Sequence, residues 1–119
     1  IGISTQQPIG VDVEVLHSVV DAEALARRHF TQDEFKQWEQ APAADRDRVF
    51  LQGWTRKEAC LKALGVGLQS RPQSIELGCD GGMRQVVVES GSSRAVIELA
   101  SIDLGDAAIG AVARAAAAA

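Results

Sequence analysis

The sequence has few aromatic residues and no strongly basic stretch, and each shortage closes off a class of protein. Aromatics make up 4% of the 119 residues, so the core has to be built largely from Val, Leu, Ile and Ala. The formal net charge is −4 with no long run of Lys or Arg, so a nucleic-acid face, which draws on grouped cations, is not expected. Cysteine is scarce: Cys60 and Cys79 stand far apart, with no C-x-x-C pair and no metal-ligand spacing. They read as reduced thiols of a cytoplasmic protein, with a bridge between them as the open alternative. No apolar run approaches the roughly 20 residues that span a bilayer, so no membrane partner is expected. The opening "IGISTQQPIG" lacks the basic and apolar regions of a signal peptide. There is no G-x-S-x-G, no P-loop and no G-x-G-x-x-G, and "GVG" at 65–67 is too short to count as a phosphate loop.

Hydrophobic residues make up 46% of the chain, which argues for a folded domain. The expectation is one domain over 1–114 and a low-complexity tail, 115–119, with no assigned role. "PIGVDVEVL" alternates with the period of a strand: Val11, Val13 and Val15 point one way, Asp12 and Glu14 the other. Asp21 is placed to cap a helix over "AEALARRHF", and Thr31 with Glu34 forms a capping box opening "QDEFKQWEQ". Pro42 interrupts. A third helix is expected over about 45–64, where Phe50, Trp54, Leu61 and Leu64 recur at helical spacing and Gly65 and Gly67 supply a permissive end. The last third changes period. "SIELG", "RQVVVES", "RAVIELASI" and "AAIGAVAR" read as strands separated by turn chemistry. The fold class is therefore α+β: a strand, three helices, then an antiparallel meander.

Charge in an otherwise apolar setting draws attention to two stretches. Asp12 and Glu14 share a strand face with Cα atoms about 6.6 Å apart, twice the roughly 3.3 Å strand rise. Two carboxylates there suit a hard cation such as Mg²⁺, or they are the wet face of the strand. In "WTRKEACLKALGVGL", residues 54–68, Glu58 and Lys62 lie one turn apart. They form a surface pair, or a metal ligand beside a phosphate-binding ammonium. The line Phe50, Trp54, Glu58, Lys62 passes from apolar to charged toward the glycines, which favours the second reading. His17 and His29 have no second histidine at ligand spacing and are not taken as bases.

"IGVDVE", "FTQDEF" and "WTRKEACLKALGVGL", in that order and spacing, resemble the phosphopantetheinyl transferases. The resemblance covers about residues 9–68. It implies an enzyme that moves the phosphopantetheine arm of coenzyme A to a serine of an acyl or peptidyl carrier protein with Mg²⁺. It also implies metal ligands at Asp12, Glu14 and Glu58, with Glu58 doubling as general base. Lys57 and Lys62 would then contact coenzyme A phosphates, and Lys62 would assist proton transfer or the leaving group. Glu14 and Trp54 look like the second lobe of the two-lobed, surfactin-synthetase-activating type. The start in mid-strand without Met accordingly suggests a missing N-terminal lobe, or a homo-oligomer partner in its place. A non-catalytic docking lobe is the alternative from another class.

Overall fold

The structure is a computed structural model, and it describes residues 9–64, 72–90 and 93–116. Strand β1 (Ile9–Val15) leads into helices α1 (Ala22–His29) and α2 (Gln32–Gln40). A 3-10 turn (Ala43–Asp45) enters the long helix α3 (Arg46–Leu64). After a second 3-10 turn (Pro72–Ser74) come β2 (Arg84–Ser90), β3 (Ser93–Asp103) and β4 (Ala108–Ala116). The four strands form one antiparallel sheet in the order β1-β4-β3-β2, so β1 and β2 are its edges. This is the expected α+β architecture, with the meander closed by the first strand.

Helix α3 is the axis of the fold. Ala59, Cys60 and Ala63 pack on the sheet against Leu77, Val88, Ile97, Leu99, Ala111 and Ala113. Its N-terminal half, Phe50 and Leu51, packs with Ala26, Phe30, Trp38 and Ile109 against α1 and α2. Small residues on the sheet side of α3 let the two layers approach closely. Gly10 marks the closest point: a Cβ there would fall 2.0 Å from the Ala59 carbonyl oxygen and 2.7 Å from the Ala63 nitrogen. That contact also sets the orientation of β1. With a side-chain period of two, Asp12 and Glu14 must follow Gly10 toward α3, and the valines turn outward. Val15 is accordingly 70% exposed, and Ile9, Val11 and Val13 are exposed with it. The idea that the two acids are the wet face of the strand is thereby reversed.

Local chemistry accounts for most element ends. The Thr31 hydroxyl accepts from the Glu34 N–H at 3.1 Å and Glu34 Oε1 accepts from the Thr31 N–H at 2.9 Å, a complete capping box. Asp21 stands at the N-cap of α1 but in the left-handed region (φ 59°), without a side-chain cap bond. Between β3 and β4, Gly105 takes φ 85° and donates its N–H to Asp103 Oδ1 at 2.9 Å, a backbone conformation suited to glycine. Two expectations are corrected. "SIELG" is not a strand: its backbone groups bond to buried side chains, as described below, in place of a ladder. Ala115 and Ala116 belong to β4, with Ala115 in the core, so the sheet takes in the start of the expected tail. Residues 117–119 and the expected helix-ending glycines Gly65 and Gly67 lie outside the described residues.

Candidate functional site

Along "RKEACLK" the charges of α3 divide between two sides of the helix. Arg56 and Lys57 turn inward, with 0% and 1% of their surface exposed. Lys57 Nζ lies 2.6 Å from Glu34 Oε1 and also donates to the Ile75 carbonyl. The second Glu34 oxygen, Oε2, accepts from the backbone N–H groups of Leu77 and Gly78. Arg56 donates to the carbonyls of Leu77 and Gly82, each at 2.8 Å, and to Ser101 Oγ at 3.1 Å. Its Nη2, buried and without a hydrogen-bond acceptor among the described residues, has Asp80 at 3.9 Å. Side-chain bonds from Glu34, Lys57 and Arg56, with Gln37 accepting from the Cys79 N–H at 2.8 Å, thus serve the backbone from Ile75 to Gly82 in place of a neighbouring strand. Burial pushes the Lys57 ammonium below its usual range, while the Glu34 carboxylate opposes that shift.

Glu58 and Lys62 point the other way, toward β1. Lys62 Nζ lies 3.0 Å from Asp12 Oδ1 and donates to the Val11 carbonyl at 3.1 Å. The hydrogen bond to Asp12, then the charge of Asp12, and more weakly Glu58 and Glu14, raise the Lys62 ammonium above its ordinary value. Glu58 is raised too, first by burial, then by Asp12, with Glu14 adding and Lys62 opposing. Asp12, Glu14 and Glu58 therefore share one electrostatic neighbourhood, with the Lys62 ammonium among them. The other Asp12 oxygen, Oδ2, is buried with no hydrogen-bond partner among the described residues. Such an atom is costly unless something further binds it.

Of the five residues singled out in the sequence, four meet here and Lys57 does not. Its ammonium serves Glu34 on the far side of the helix. The close grouping of carboxylates expected around one ion is not formed by the side chains as they stand. Among the described residues, no three His, Cys, Asp or Glu side chains are grouped tightly enough to hold a metal. The donor set nonetheless fits a hard divalent cation: three carboxylates, one oxygen of them without a hydrogen-bond partner among the described residues. Sequence reasoning missed the roles of Arg56 and of Glu34 beyond its cap. The available signal was the apolar residues on both sides of α3, which leave positions 56 and 57 little wet surface.

The remaining candidates have structural roles. His29 packs edge-on against Trp54 with ring centroids 5.0 Å apart, and burial followed by Arg28 and Lys57 lowers it below its usual range. Cys60 and Cys79 are free and buried, and loss of water pushes their thiols up to about 11 and about 12. At those values they are inert as nucleophiles near neutrality. No helix among the described residues is long and apolar enough to cross a membrane.

Comparison with known proteins bears on the family and the fold. A family profile described as the 4′-phosphopantetheinyl transferase superfamily matches residues 8–112. The 4′-phosphopantetheinyl transferase HetI of Nostoc sp. is 35% identical over 75 residues, 63% of this chain and 31% of that protein. Fatty acid synthase subunit alpha of Candida parapsilosis is 35% identical over 98 residues, 79% of this chain and 5% of that one. The chain thus spans about a third of the length of the transferase it matches. In fold it resembles the Thermotoga maritima holo-[acyl-carrier-protein] synthase, with a TM-score of 0.60 at 19% identity over 93% of this chain and 64% of the other.

Proposed function

The chain belongs to the 4′-phosphopantetheinyl transferase superfamily, and from that premise we propose that it is a lobe that binds divalent metal and coenzyme A and transfers phosphopantetheine to a serine of an acyl or peptidyl carrier protein. The observation that carries the proposal is the convergence of β1 and α3. It brings Asp12, Glu14, Glu58 and Lys62 into one electrostatic neighbourhood and leaves one Asp12 oxygen without a partner among the described residues.

Asp12, Glu14 and Glu58 would hold the metal, with Mg²⁺ suited to an all-oxygen donor set. When bound, it supplies charge neutralisation at the coenzyme A pyrophosphate. Glu58, whose proton affinity is raised by burial and by its acidic neighbours, accepts the proton of the carrier serine at a carboxylate oxygen. Lys62, half exposed on a flexible stem, offers its ammonium to phosphate oxygens and to the departing 3′,5′-ADP. Lys57 acts at one remove, by holding Glu34 and the Ile75–Gly78 backbone and so the seating of α3.

The outer sheet face bears on the partner. Val11, Val13 and Val15 on β1 and Val87 on β2 are exposed on a sheet whose other face is covered by α3. An exposed apolar strip of this kind along β1 is a surface that another lobe could cover. A second transferase-like lobe, in one polypeptide or as another copy, would cover it and complete the nucleotide site.

The test is titration of coenzyme A into the chain at saturating Mg²⁺, alongside phosphopantetheinylation of an apo carrier protein. Asp12→Asn and Glu58→Gln should each lower transfer by about a hundredfold, the usual scale for losing one positioned catalytic group. Transfer unaffected by both substitutions would remove the assignment.

A further inference from the structure

Two cations have a claim on the same carboxylates. Lys62 already sits on Asp12 Oδ1 at 3.0 Å, in the field of Glu58 and Glu14. It is also tied to β1 through the Val11 carbonyl at 3.1 Å. An ammonium there neutralises part of a cluster of three carboxylates that would otherwise repel one another across the β1–α3 contact. A divalent ion seeking the same oxygens would meet a positive charge a few ångströms away, a repulsion that weakens either occupant.

We propose that Lys62 is a resident counter-cation of the carboxylate cluster, which a divalent metal displaces on binding, so that the ammonium becomes available to phosphate only once the metal is in place. The inference rests on Asp12, Glu14 and Glu58 being the metal ligands. The cost of displacement is small on the lysine side. Lys62 is half exposed, so water replaces its lost partners, and β1 is an edge strand, so water can also reach the Val11 carbonyl. Its four-carbon stem lets the charged end swing without moving α3. Asp12 Oδ2 is the oxygen left over by this arrangement: lysine takes one oxygen of the carboxylate, and the second has no donor among the described residues. Metal binding before coenzyme A follows as the favoured order, since the ammonium that would grip phosphate is engaged until then.

The consequence runs against the ordinary expectation that removing a site residue weakens the site. Mg²⁺ alone, titrated calorimetrically into the metal-free full chain without coenzyme A, should bind Lys62→Met about three- to fivefold more tightly than the unsubstituted protein, the factor that matches a partly exposed ion pair. Lys62→Arg keeps the charge and should bind Mg²⁺ as the unsubstituted chain does. The gain should shrink as ionic strength rises. Circular dichroism confirms that each variant is folded. Unchanged or weaker Mg²⁺ binding by Lys62→Met overturns the inference, as does no binding by any variant. Asp12→Asn separates this from the metal-site assignment. If Asp12→Asn loses Mg²⁺ while Lys62→Met gains nothing, the ligands stand and the counter-cation role falls. If Asp12→Asn binds Mg²⁺ undiminished, the ligand assignment falls, and the inference with it.

Discussion

Helix α3 carries ionic clusters on two of its sides, and they obey opposite physics. On the inner side, Glu34, Lys57 and Arg56 are almost wholly out of water, and nearly every polar atom is spoken for by a partner or by loop backbone. On the outer side, Asp12, Glu14, Glu58 and Lys62 are partly solvated, like charges are crowded together, and one carboxylate oxygen goes unmatched. The inner cluster is buried and, Arg56 Nη2 apart, bonded to loop backbone, and so holds the fold. The outer one is partly solvated with its acids in excess of its one lysine, and so is open to a ligand. Residue type does not distinguish them, since each pairs a lysine of α3 with an acid from another element; depth of burial and crowding of like charge do.

Breaking the inner cluster should give the largest effect. Lys57→Met leaves the Glu34 carboxylate buried opposite an apolar side chain, and removing one partner of a buried pair costs about 3–5 kcal/mol. Urea unfolding of Lys57→Met should show a loss of that order, and Glu34→Gln a comparable one. The double variant should be less destabilised than the sum of the two, because neither charge is then stranded. Additive losses would mean that the pair is not coupled and that the contrast between the clusters is mistaken.

Separating β1 from α3 attacks the outer cluster without touching the inner one. In Gly10→Ala the new methyl meets helix backbone, not a movable side chain, so strand and helix must part. Overpacking of this kind costs about 1–3 kcal/mol. Mg²⁺ binding should fall with it, as Asp12 and Glu14 are carried away from Glu58. If Gly10→Ala loses stability but keeps full metal affinity, the outer cluster does not depend on the β1–α3 contact.

The same distinction decides what could be read from the sequence. Alternation over 9–15 identified β1, helical spacing identified α3, and the Thr31–Glu34 box identified the start of α2, because each depends on neighbours in sequence. "SIELG" misled because Ile75 and Leu77 alternate inward whether their backbone bonds to a strand or to Glu34, Arg56 and Lys57. Lys57 and Lys62 look alike in sequence because a helix buried on several sides does not declare which way each charge faces. The outward turn of the β1 valines depends on Gly10 meeting Ala59, a contact 49 positions away in sequence that no local pattern records. The carboxylates that the β1–α3 contact brings near one another are legible as charges in an apolar setting. Their lysine partners were legible only as charges, not as inner and outer.

The smallest effect tests the electrostatics of the outer cluster itself. Glu58 is raised above its ordinary value of 4.5 by burial first and by Asp12 and Glu14 next. The folded chain therefore holds this proton more tightly than the unfolded one. The stability that the group contributes is fully present below 4.5 and is lost as pH rises through the folded value. Above that value, an ionised Glu58 is a burden on the metal-free fold. Glu58→Gln should accordingly be more stable than the unsubstituted chain at pH 7 without metal, by less than about 1 kcal/mol because the group is substantially solvated. The advantage should vanish by pH 4, where Glu58 is largely protonated in both states. Added Mg²⁺ should reverse the order at pH 7, since the unsubstituted chain then gains binding energy that the variant has given up. Urea melts at the two pH values, with and without Mg²⁺, read all three expectations. An advantage equal at pH 4 and pH 7 would trace it to packing of the amide and not to relief of charge. The outer cluster would then be as settled, in electrostatic terms, as the inner one.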